Sequence, residues 1–289
     1  MLCAVGSLLL RVKSNLHVIH DDESAARSIG VGLYPAAAMI NHACSPCACL
    51  SSHDDGRVLH VRAIADLIPA GDEVTVSYLA EEHLYAPWAE RRALLRDGFG
   101  YEPDGCPVRL TAEQATLQAG APSDALIRRA RDAIGDAKRA LANDSTRGDE
   151  AADALERLSS LVATELQGAL HPFHWLTQEV QAARLALARM APIDEPRLIA
   201  ECALHLIAGR EALLPSATLH LAALYASHGS ALCRVLREGV PPDERTPVVA
   251  AAVKSLNAAC ALRSTCLGEG HALTKATSAA VRHAREALG

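Results

Sequence analysis

The stretch ACLSSHDDGRVLHVRAI, residues 48–64, decides how the first part of the chain folds. Two alternating segments, 48–53 and 57–64, flank the sequence Asp54-Asp55-Gly56. Because Asp and Gly tolerate the backbone angles of a tight turn, this arrangement predicts a β-hairpin. We therefore expect the first hundred residues to be built from short strands and turns.

The neighbouring segments extend this pattern on both sides. Residues 15–20, NLHVIH, alternate weakly and predict a strand, and residues 73–79, EVTVSYL, predict another. Residues 87–98, PWAERRALLRDG, then predict a short helix. Pro87 suits the start of that helix, and Gly98 is the expected left-handed cap at its end.

From about residue 111 the sequence is helical and rich in alanine. Apolar residues recur at helical spacing in three segments: Leu155, Leu158, Val162 and Leu166; Leu176, Val180, Ala183, Leu187 and Met190; and Val249, Val253, Leu256 and Cys260. Successive helices with short connections predict hairpins stacked as in a tetratricopeptide array. Since the full consensus of that repeat is absent from the sequence, an irregular α-bundle remains the alternative.

The predicted fold class is therefore α+β. We expect a partial β-fold of short strands and hairpins at residues 1–110, followed by an all-α, tetratricopeptide-like domain at residues 111–289. Half of the 289 residues are hydrophobic, which permits a large core, but only 3% are aromatic. That core must consist mainly of Ala, Leu and Val.

Charge and cysteine content limit the classes of function. The net charge is −6 and the pI is about 6.1, which does not indicate nucleic-acid binding by bulk electrostatics. No apolar run reaches the roughly 18 residues that a membrane span needs. Nine cysteines, an odd number with six outside the 44–49 cluster, are unlike a secreted disulfide framework. We therefore expect a cytoplasmic or nuclear protein.

Residues 41–49, NHACSPCAC, place three cysteines within six positions. The CxxC formed by Cys44 and Cys47 is compatible with half of a zinc site, with a thioredoxin-like redox motif and with buried structural thiols. A zinc site usually needs a second ligand pair, and a redox motif should lie in a βαβ unit. The sequence shows neither context, so spacing alone leaves the three readings open.

Three longer segments together resemble a known family. They read GVGLYPAAAMINHACSP (30–46), HVRAIADLIPAGDEVTVSYL (60–79) and ERRALLRDGFGY (90–101). Their order and distances resemble the C-terminal half of a SET domain, and in particular the SET-and-MYND (SMYD) group of protein-lysine methyltransferases. The resemblance covers roughly residues 10–108. That group also carries a tetratricopeptide-like C-terminal domain, which fits the helical second half.

The resemblance implies that a methyl group is transferred from S-adenosylmethionine to a lysine amine of a histone or another protein. A free lysine has a pKa near 10.4, so only about one amine in 10³ is neutral at pH 7. The lysine must therefore enter a narrow, largely apolar channel that favours the neutral amine. The acidic balance of the chain fits a basic peptide substrate.

Individual residues inherit roles from this resemblance. Tyr78 matches the catalytic tyrosine of the family, whereas without the resemblance it would be an ordinary half-buried strand tyrosine. Asn41 and His42 match the pair that holds the methyl donor, and His42 alone would be a hydrogen-bonded core histidine. Asn15 matches an Asn of the family that directly precedes a strand and contacts the cofactor. Tyr101 matches an aromatic residue placed against the adenine.

The post-SET zinc site of the family is incomplete in this sequence. Cys44 matches its first ligand and is the residual zinc ligand that we predict. Three further cysteines should follow the helix, but residues 102–108 read EPDGCPV and hold only Cys106. Since a structural zinc ion wants four ligands, we do not expect a complete site. An improvised site of Cys44, Cys47 and Cys106 is the alternative.

The glycines at positions 30 and 32 match a turn of the family before the LYP segment, so we assign them backbone freedom rather than cofactor contact. The family's own glycine motif and its MYND finger belong to an N-terminal SET half that is missing here. We expect that upstream sequence was lost, with a degenerate relative as the alternative. A sheet without those strands should expose strand edges and apolar faces.

The leading function is thus an S-adenosylmethionine-dependent protein-lysine methyltransferase of SMYD type that acts on a lysine-bearing protein or peptide. The alternative is a non-catalytic adaptor with a remnant SET domain, whose helical half is the working part. A zinc or redox module built on the cysteine cluster is a third hypothesis. We expect neither a membrane nor a nucleic acid as partner.

Overall fold

The computed structural model describes residues 12, 15–20, 28–54, 56–80, 83–84, 86–101, 120–142, 147–190, 193–214 and 218–286. Short strands come first and helices follow, which confirms the predicted α+β class. The chain divides into two compact units, each discontinuous in sequence. The first comprises residues 1–109, 216–220 and 260–279, and the second comprises residues 110–215, 221–259 and 280–289. The single boundary near residue 110 that the sequence suggests stays a prediction.

The strands of the first unit pair two by two. Those within the described residues are β1 (Leu16–His20), β2 (Ser28–Leu33), β3 (Asn41–His42), β4 (Ala48–His53), β5 (Val58–Ala63) and β6 (Thr75–Val76). The pairs β1–β2 and β4–β5 are antiparallel, and β3–β6 is parallel. The strand predicted at residues 15–20 is therefore confirmed as β1.

The hairpin predicted from residues 48–64 is confirmed as β4 and β5. Its register pairs Ala48 with Ala63 at one end and His53 with Val58 at the turn. Gly56 has φ +82° in that turn, the left-handed conformation for which the sequence suggested a glycine. An added Cβ there would lie 2.6 Å from the Ile19 side chain, so Gly56 also lets β1 approach closely.

The strand predicted at residues 73–79 is shorter than expected, since β6 covers only Thr75–Val76. Beyond Val76, hydrogen bonds that involve side chains replace the backbone hydrogen bonds between strands. The backbone N–H of Tyr78 donates to the ring of His42, and the Ser77 hydroxyl donates to the Leu79 carbonyl. Alternation alone did not reveal this change of hydrogen-bond partners.

The turn predicted at Gly30 and Gly32 is wrong, because both residues lie inside β2. Gly30 pairs with Ile19 and Gly32 with His17, and neither glycine has a positive φ. Gly32 is needed for space: an added Cβ would lie 2.8 Å from the ring of Tyr34. Close packing by an aromatic ring, rather than a turn, explains this glycine.

The β1–β2 pair exposes apolar side chains. Leu16 faces Leu33 and Val18 faces Val31 across the two strands. These four side chains are between 37% and 58% exposed. They form an apolar surface that the described part of the chain leaves open to solvent.

Helix α1 (Trp88–Phe99) confirms the helix predicted at residues 87–98, but not its cap. Gly98 lies inside the helix, and Gly100, with φ +64°, is the residue that ends it. The Gly100 N–H donates to the Arg96 carbonyl at 2.9 Å, and the Tyr101 N–H reaches the preceding carbonyl at 3.3 Å. This is a Schellman arrangement, and it fixes the direction in which the chain leaves the helix.

The helices that follow are α2 (Asp124–Ala142), α3 (Arg147–Leu161), α4 (Trp175–Ala188), α5 (Pro196–Leu213), α6 (Leu219–Glu238), α7 (Pro242–Leu267) and α8 (Ala272–Glu286). A π-helical turn, Val162–Leu166, extends α3. Helix α2 packs on α3, α4 packs on α5, and α4 also contacts α2 and α3. These contacts are those of successive helical hairpins that stack side by side.

The predicted apolar stripes form the core of the second unit. Leu158, Leu166, Leu176, Val180 and Leu187 are each at most 1% exposed. Their spacings of four, seven and eight residues place them on one side of each helix. None of the helices in the described ranges is long and apolar enough to cross a membrane.

Candidate functional site

The parallel pair β3–β6 brings two distant segments of the sequence together. Asn41 lies opposite Thr75 and His42 lies opposite Val76. The backbone N–H of the next residue, Ala43, donates to the Val76 carbonyl at 2.9 Å. Because β6 ends at Val76, the residues that follow it turn towards the His42 ring.

A hydrogen bond from Tyr78 sets the tautomer of His42. The backbone N–H of Tyr78 donates to Nδ1 of His42 at 2.9 Å, so Nδ1 must be unprotonated. The ring proton therefore belongs on Nε2, which lies 3.3 Å from the sulfur of Cys44. Burial and, to a smaller extent, the positive charge of Arg91 together lower the pKa of His42 to about 4. His42 is thus a neutral imidazole at pH 7.

The hydroxyl of Tyr78 is also fixed. It donates to the carbonyl of Ile40 at 2.8 Å, on the segment that leads into β3. Burial raises the pKa of Tyr78, and the neighbouring Tyr101 and Glu73 raise it further. The phenol is therefore neutral, and both its backbone and its hydroxyl are tied to residues 40–42.

The hydrogen bonds between Tyr78 and residues 40–42 lie within an aromatic cluster of His42, Tyr78, Phe99 and Tyr101. The ring centroids of Tyr78 and Phe99 are 5.0 Å apart, and those of His42 and Tyr78 are 5.3 Å apart. Tyr101 lies 6.1 Å from His42 and 6.3 Å from Tyr78, edge-on to both. These separations are typical of stabilising aromatic pairs. Tyr101 is 36% exposed and forms the surface of the cluster.

Asn41 and Asn15 differ in their relation to this cluster. Asn41 is exposed beside His42, and its Nδ2 donates to a carboxylate oxygen of Glu73 at 2.5 Å. Asn15 lies in the turn before β1, where its backbone N–H donates to the Val12 carbonyl at 3.0 Å. The structure thus brings Asn41, His42, Tyr78 and Tyr101 together. The role of Asn15 at a cofactor stays a prediction.

Arg91 adds a buried positive charge next to the cluster. Its side chain is 5% exposed and lies over the ring of Trp88, 5.5 Å from the centroid. Burial lowers its pKa. Within the described part of the chain, its Nε and Nη1 atoms have no hydrogen-bond partner, although a buried guanidinium normally has its donors satisfied. The site therefore holds donors that an anionic group would satisfy.

The two cysteines of the CxxC have separate environments. Cys44 is completely buried and disulfide-bonded, whereas Cys47 is a free thiol. The Cys47 sulfur accepts the backbone N–H of Thr75 at 3.3 Å and so joins the loop to β6. The two sulfurs of the motif are thus not bonded to each other, which argues against a CxxC redox pair.

The described residues contain no group of three or more His, Cys, Asp or Glu side chains placed to hold a metal ion. A cysteine binds zinc as a thiolate, which a disulfide-bonded Cys44 does not offer. The donor set in this part of the chain therefore does not fit zinc. The role of Cys44 as a residual zinc ligand stays a prediction that requires its reduced form.

Sequence reasoning missed three residues of the site: Phe99, Arg91 and Glu73. Phe99 is one of only two Phe in the chain and lies two residues before Tyr101. Arg91 lies four residues before the fully buried Leu95, so helical spacing already placed it on the inner face of α1. Glu73 gave no comparable signal, because its contact with Asn41 spans 32 residues.

Comparison with characterised proteins finds a distant, partial similarity. Over 95 residues the chain is 38% identical to the histone-lysine N-methyltransferase SMYD3 of Mus musculus, and equally to that of Homo sapiens. The match covers 32% of this chain and 21% of each relative. The chain thus spans about a fifth of the length of these curated relatives. No family model matches it. The similarity indicates a relationship to the SMYD group and no more.

Proposed function

We propose that the protein is an S-adenosylmethionine-dependent protein-lysine methyltransferase of SMYD type. The observation that carries the proposal is a pair of hydrogen bonds from Tyr78. Its hydroxyl donates to the Ile40 carbonyl, and its backbone N–H donates to the His42 ring. The partial similarity to SMYD3 supports the same function. A location in the cytoplasm, the nucleus or both belongs to this proposal.

The residues of the site fit S-adenosylmethionine, which supplies an electrophilic methyl group on a sulfonium when it is bound. Tyr101 and Phe99 offer aromatic rings against which an adenine can stack. The exposed Asn41 offers amide groups at the edge of the cluster. The unsatisfied donors of Arg91 suit a carboxylate.

Tyr78 and Ile40 are proposed to position the lysine amine. The hydroxyl of Tyr78 stays protonated, since burial raises its pKa. It is held by the Ile40 carbonyl, whose oxygen keeps a second lone pair that can accept an N–H of the amine. Such fixed polar groups align a nucleophile without reorganising during the reaction.

The surroundings of His42 also favour the deprotonation that lysine needs. Burial and the charge of Arg91 together lower the pKa of His42 to about 4. Both effects disfavour any cation at this place. A lysine ammonium that enters beside His42 would lose its proton more readily, which yields the neutral amine that attacks carbon.

The substrate proposed is a lysine-bearing protein or peptide, with histones as one possible class because the two relatives are named as histone-lysine methyltransferases. The net charge of −6 favours a basic partner. In this proposal the helical second unit helps to present the substrate.

The direct test is transfer of a labelled methyl group to histones and lysine-rich peptides. We expect labelled methyl-lysine with the wild-type chain and a loss of about 100-fold with Tyr78→Phe, the order that a misplaced reacting group costs. Tyr225→Phe is the matched control, because it also removes a tyrosine hydroxyl hydrogen bond, to Glu211. Equal rates in both variants would remove Tyr78 from its role.

A second candidate, the non-catalytic adaptor, is favoured by the apolar surface on β1 and β2. Val18 and Val31 are 48% and 58% exposed, as at a surface that binds another protein. An adaptor would show no methyl transfer with any substrate, and charged substitutions at Val18 and Val31 would abolish its partner binding. The methyltransferase hypothesis predicts transfer that survives those substitutions.

A further inference from the structure

Two cysteines from distant parts of the sequence meet in the first unit, away from the aromatic cluster. Cys49 lies in β4, and Cys266 is the penultimate residue of α7, 217 residues later. The sulfur of Cys49 lies 3.8 Å from the carbonyl oxygen of Cys266. The side chain of Cys266 also forms a hydrogen bond with the Cys49 sulfur, and neither residue is disulfide-bonded. Both belong to the same compact unit.

Arg62 completes the surroundings of Cys49. The β4–β5 register places Arg62 directly opposite Cys49, so both side chains leave the hairpin on the same face. The guanidinium reaches the connection between α7 and α8, where a Cβ added to Gly268 would lie 2.9 Å from an Arg62 nitrogen. The Nε atom of Arg62 is buried and has no hydrogen-bond partner among the residues that the structure describes. A positive charge with spare donor capacity thus lies beside the thiol.

This geometry gives the two thiols different properties. The hydrogen bond from Cys266 lowers the pKa of Cys49, and Arg62 lowers it further, although burial acts in the opposite direction. Cys202 shows the contrast, since burial raises its pKa to about 11. Cys49 is partly exposed, whereas Cys266 is completely buried. A dissolved oxidant therefore meets Cys49 first, and the lowered pKa of this thiol favours the reactive thiolate.

We propose that Cys49 and Cys266 are a peroxide-sensitive thiol pair that closes to a disulfide between β4 and the end of α7. The Cys49 thiolate attacks one oxygen of a hydroperoxide, the O–O bond breaks, and Cys49 becomes a sulfenic acid while the other oxygen leaves as water or alcohol. The Cys266 sulfur then attacks the sulfenic sulfur and displaces water. Two thiols and one hydroperoxide thus give one disulfide.

The disulfide would join parts of the chain that already touch in the reduced form. His53, at the end of β4, contacts His271 before α8, with ring centroids 5.2 Å apart. Closing a loop of more than two hundred residues restricts the unfolded chain strongly, so the oxidised protein should unfold at a higher temperature. This inference does not depend on methyl transfer.

The test uses the wild-type chain with the buried disulfide of Cys44 left intact, treated with one equivalent of hydrogen peroxide. Tryptic mapping without reductant should join residues 28–57 to residues 264–275, and fragmentation should assign the link to Cys49 rather than Cys44 or Cys47. Two thiols should be lost per chain, the unfolding temperature should rise, and dithiothreitol should reverse both changes. No variant is needed for this measurement.

Variants then separate the two thiols. Cys266→Ser should leave Cys49 as a sulfenic acid that dimedone traps, whereas Cys49→Ser should abolish both the adduct and the link. Cys260→Ser, on the same helix as Cys266, should behave as the wild-type chain does. A new disulfide that leaves out Cys49 or Cys266 would overturn the proposal. So would the loss of only one thiol per chain, with Cys49 persisting as a dimedone adduct in the wild-type chain.

Discussion

The backbone N–H of Tyr78 donates to Nδ1 of His42 at 2.9 Å, although 36 residues separate them in the sequence. This bond ends strand β6 after Val76, sets the tautomer of His42 and places the Tyr78 hydroxyl on the Ile40 carbonyl. One backbone donor thus joins the Asn-His motif to the Ser-Tyr motif.

Tyr78→Phe removes the hydroxyl and leaves the backbone bond to His42 intact. The hydroxyl donates to the Ile40 carbonyl, so its loss should lower the free energy of unfolding by about 1 kcal/mol, the usual value of a neutral hydrogen bond. Urea unfolding monitored by circular dichroism measures the change. A loss of folded structure altogether would mean that Tyr78 has a larger structural role than one hydrogen bond.

The stability of the protein should fall as the pH falls from about 6.5 to about 4. The unfolded chain protonates His42 near pH 6.5, whereas the folded chain resists until about pH 4, because burial and Arg91 disfavour the cation. Replacing the ring by a neutral acceptor, His42→Asn, should flatten the curve by at most about 1.4 kcal/mol per pH unit, the limit for one proton.

The comparison must be between wild type and variant, since burial also lowers the pKa of other histidines. These are His17, His174, His205 and His228. Parallel curves for wild type and His42→Asn, measured by chemical unfolding at each pH, would show that His42 takes no part in this loss of stability.

Arg91→Met should raise the pKa of His42. The charge of Arg91 is the smaller of the two causes, so the pKa should rise above about 4 but stay below the ordinary value of 6.5. Burying a guanidinium whose Nε and Nη1 donors lack partners among the described residues is costly, so the variant should be at least as stable as the wild type. An NMR titration of the His42 ring protons measures the pKa directly.

Arg92→Met is the matched control for that titration, because Arg92 is the exposed neighbour on the same helix. It should leave the pKa of His42 unchanged. Equal effects of both substitutions would point to a general loss of positive charge rather than to the position of Arg91.

Gly100→Ala and Gly98→Ala should have opposite effects on stability. Gly100 ends α1 with φ +64°, a conformation that costs a residue with a side chain roughly 1–2 kcal/mol. Gly98 is inside the helix with open space around it, so alanine should stabilise by up to about 1 kcal/mol. Thermal unfolding of the pair decides which glycine is the cap, and stabilisation by Gly100→Ala would contradict the observed end of the helix.

Local sequence signals predicted the parts of the fold that depend on neighbouring residues. The β4–β5 hairpin follows from the turn at Gly56, and the helix after Pro87 follows from apolar spacing. The sequence predicted the cap of that helix two residues too early, at Gly98. Either glycine could end the helix, and only the hydrogen bond from the Gly100 N–H to the Arg96 carbonyl distinguishes them.

The site was predictable only in part, because its contacts join distant residues. The resemblance indicated His42 and Tyr78, but not the bond between them, which requires the parallel register of β3 and β6. The partnership of Asn41 with Glu73 and the unsatisfied donors of Arg91 were equally hidden. Such properties depend on the three-dimensional surroundings of a side chain rather than on its type.

The central claim is that the cluster around His42 and Tyr78 binds the methyl donor. The most direct measurement is an NMR titration with S-adenosylhomocysteine, the demethylated product, which detects even millimolar binding. We predict saturable shifts of the His42, Tyr78, Phe99 and Tyr101 ring signals, while the ring of Tyr225, in the helical region, stays unchanged. Unperturbed cluster signals at millimolar ligand, or equal shifts at Tyr225, would contradict the account.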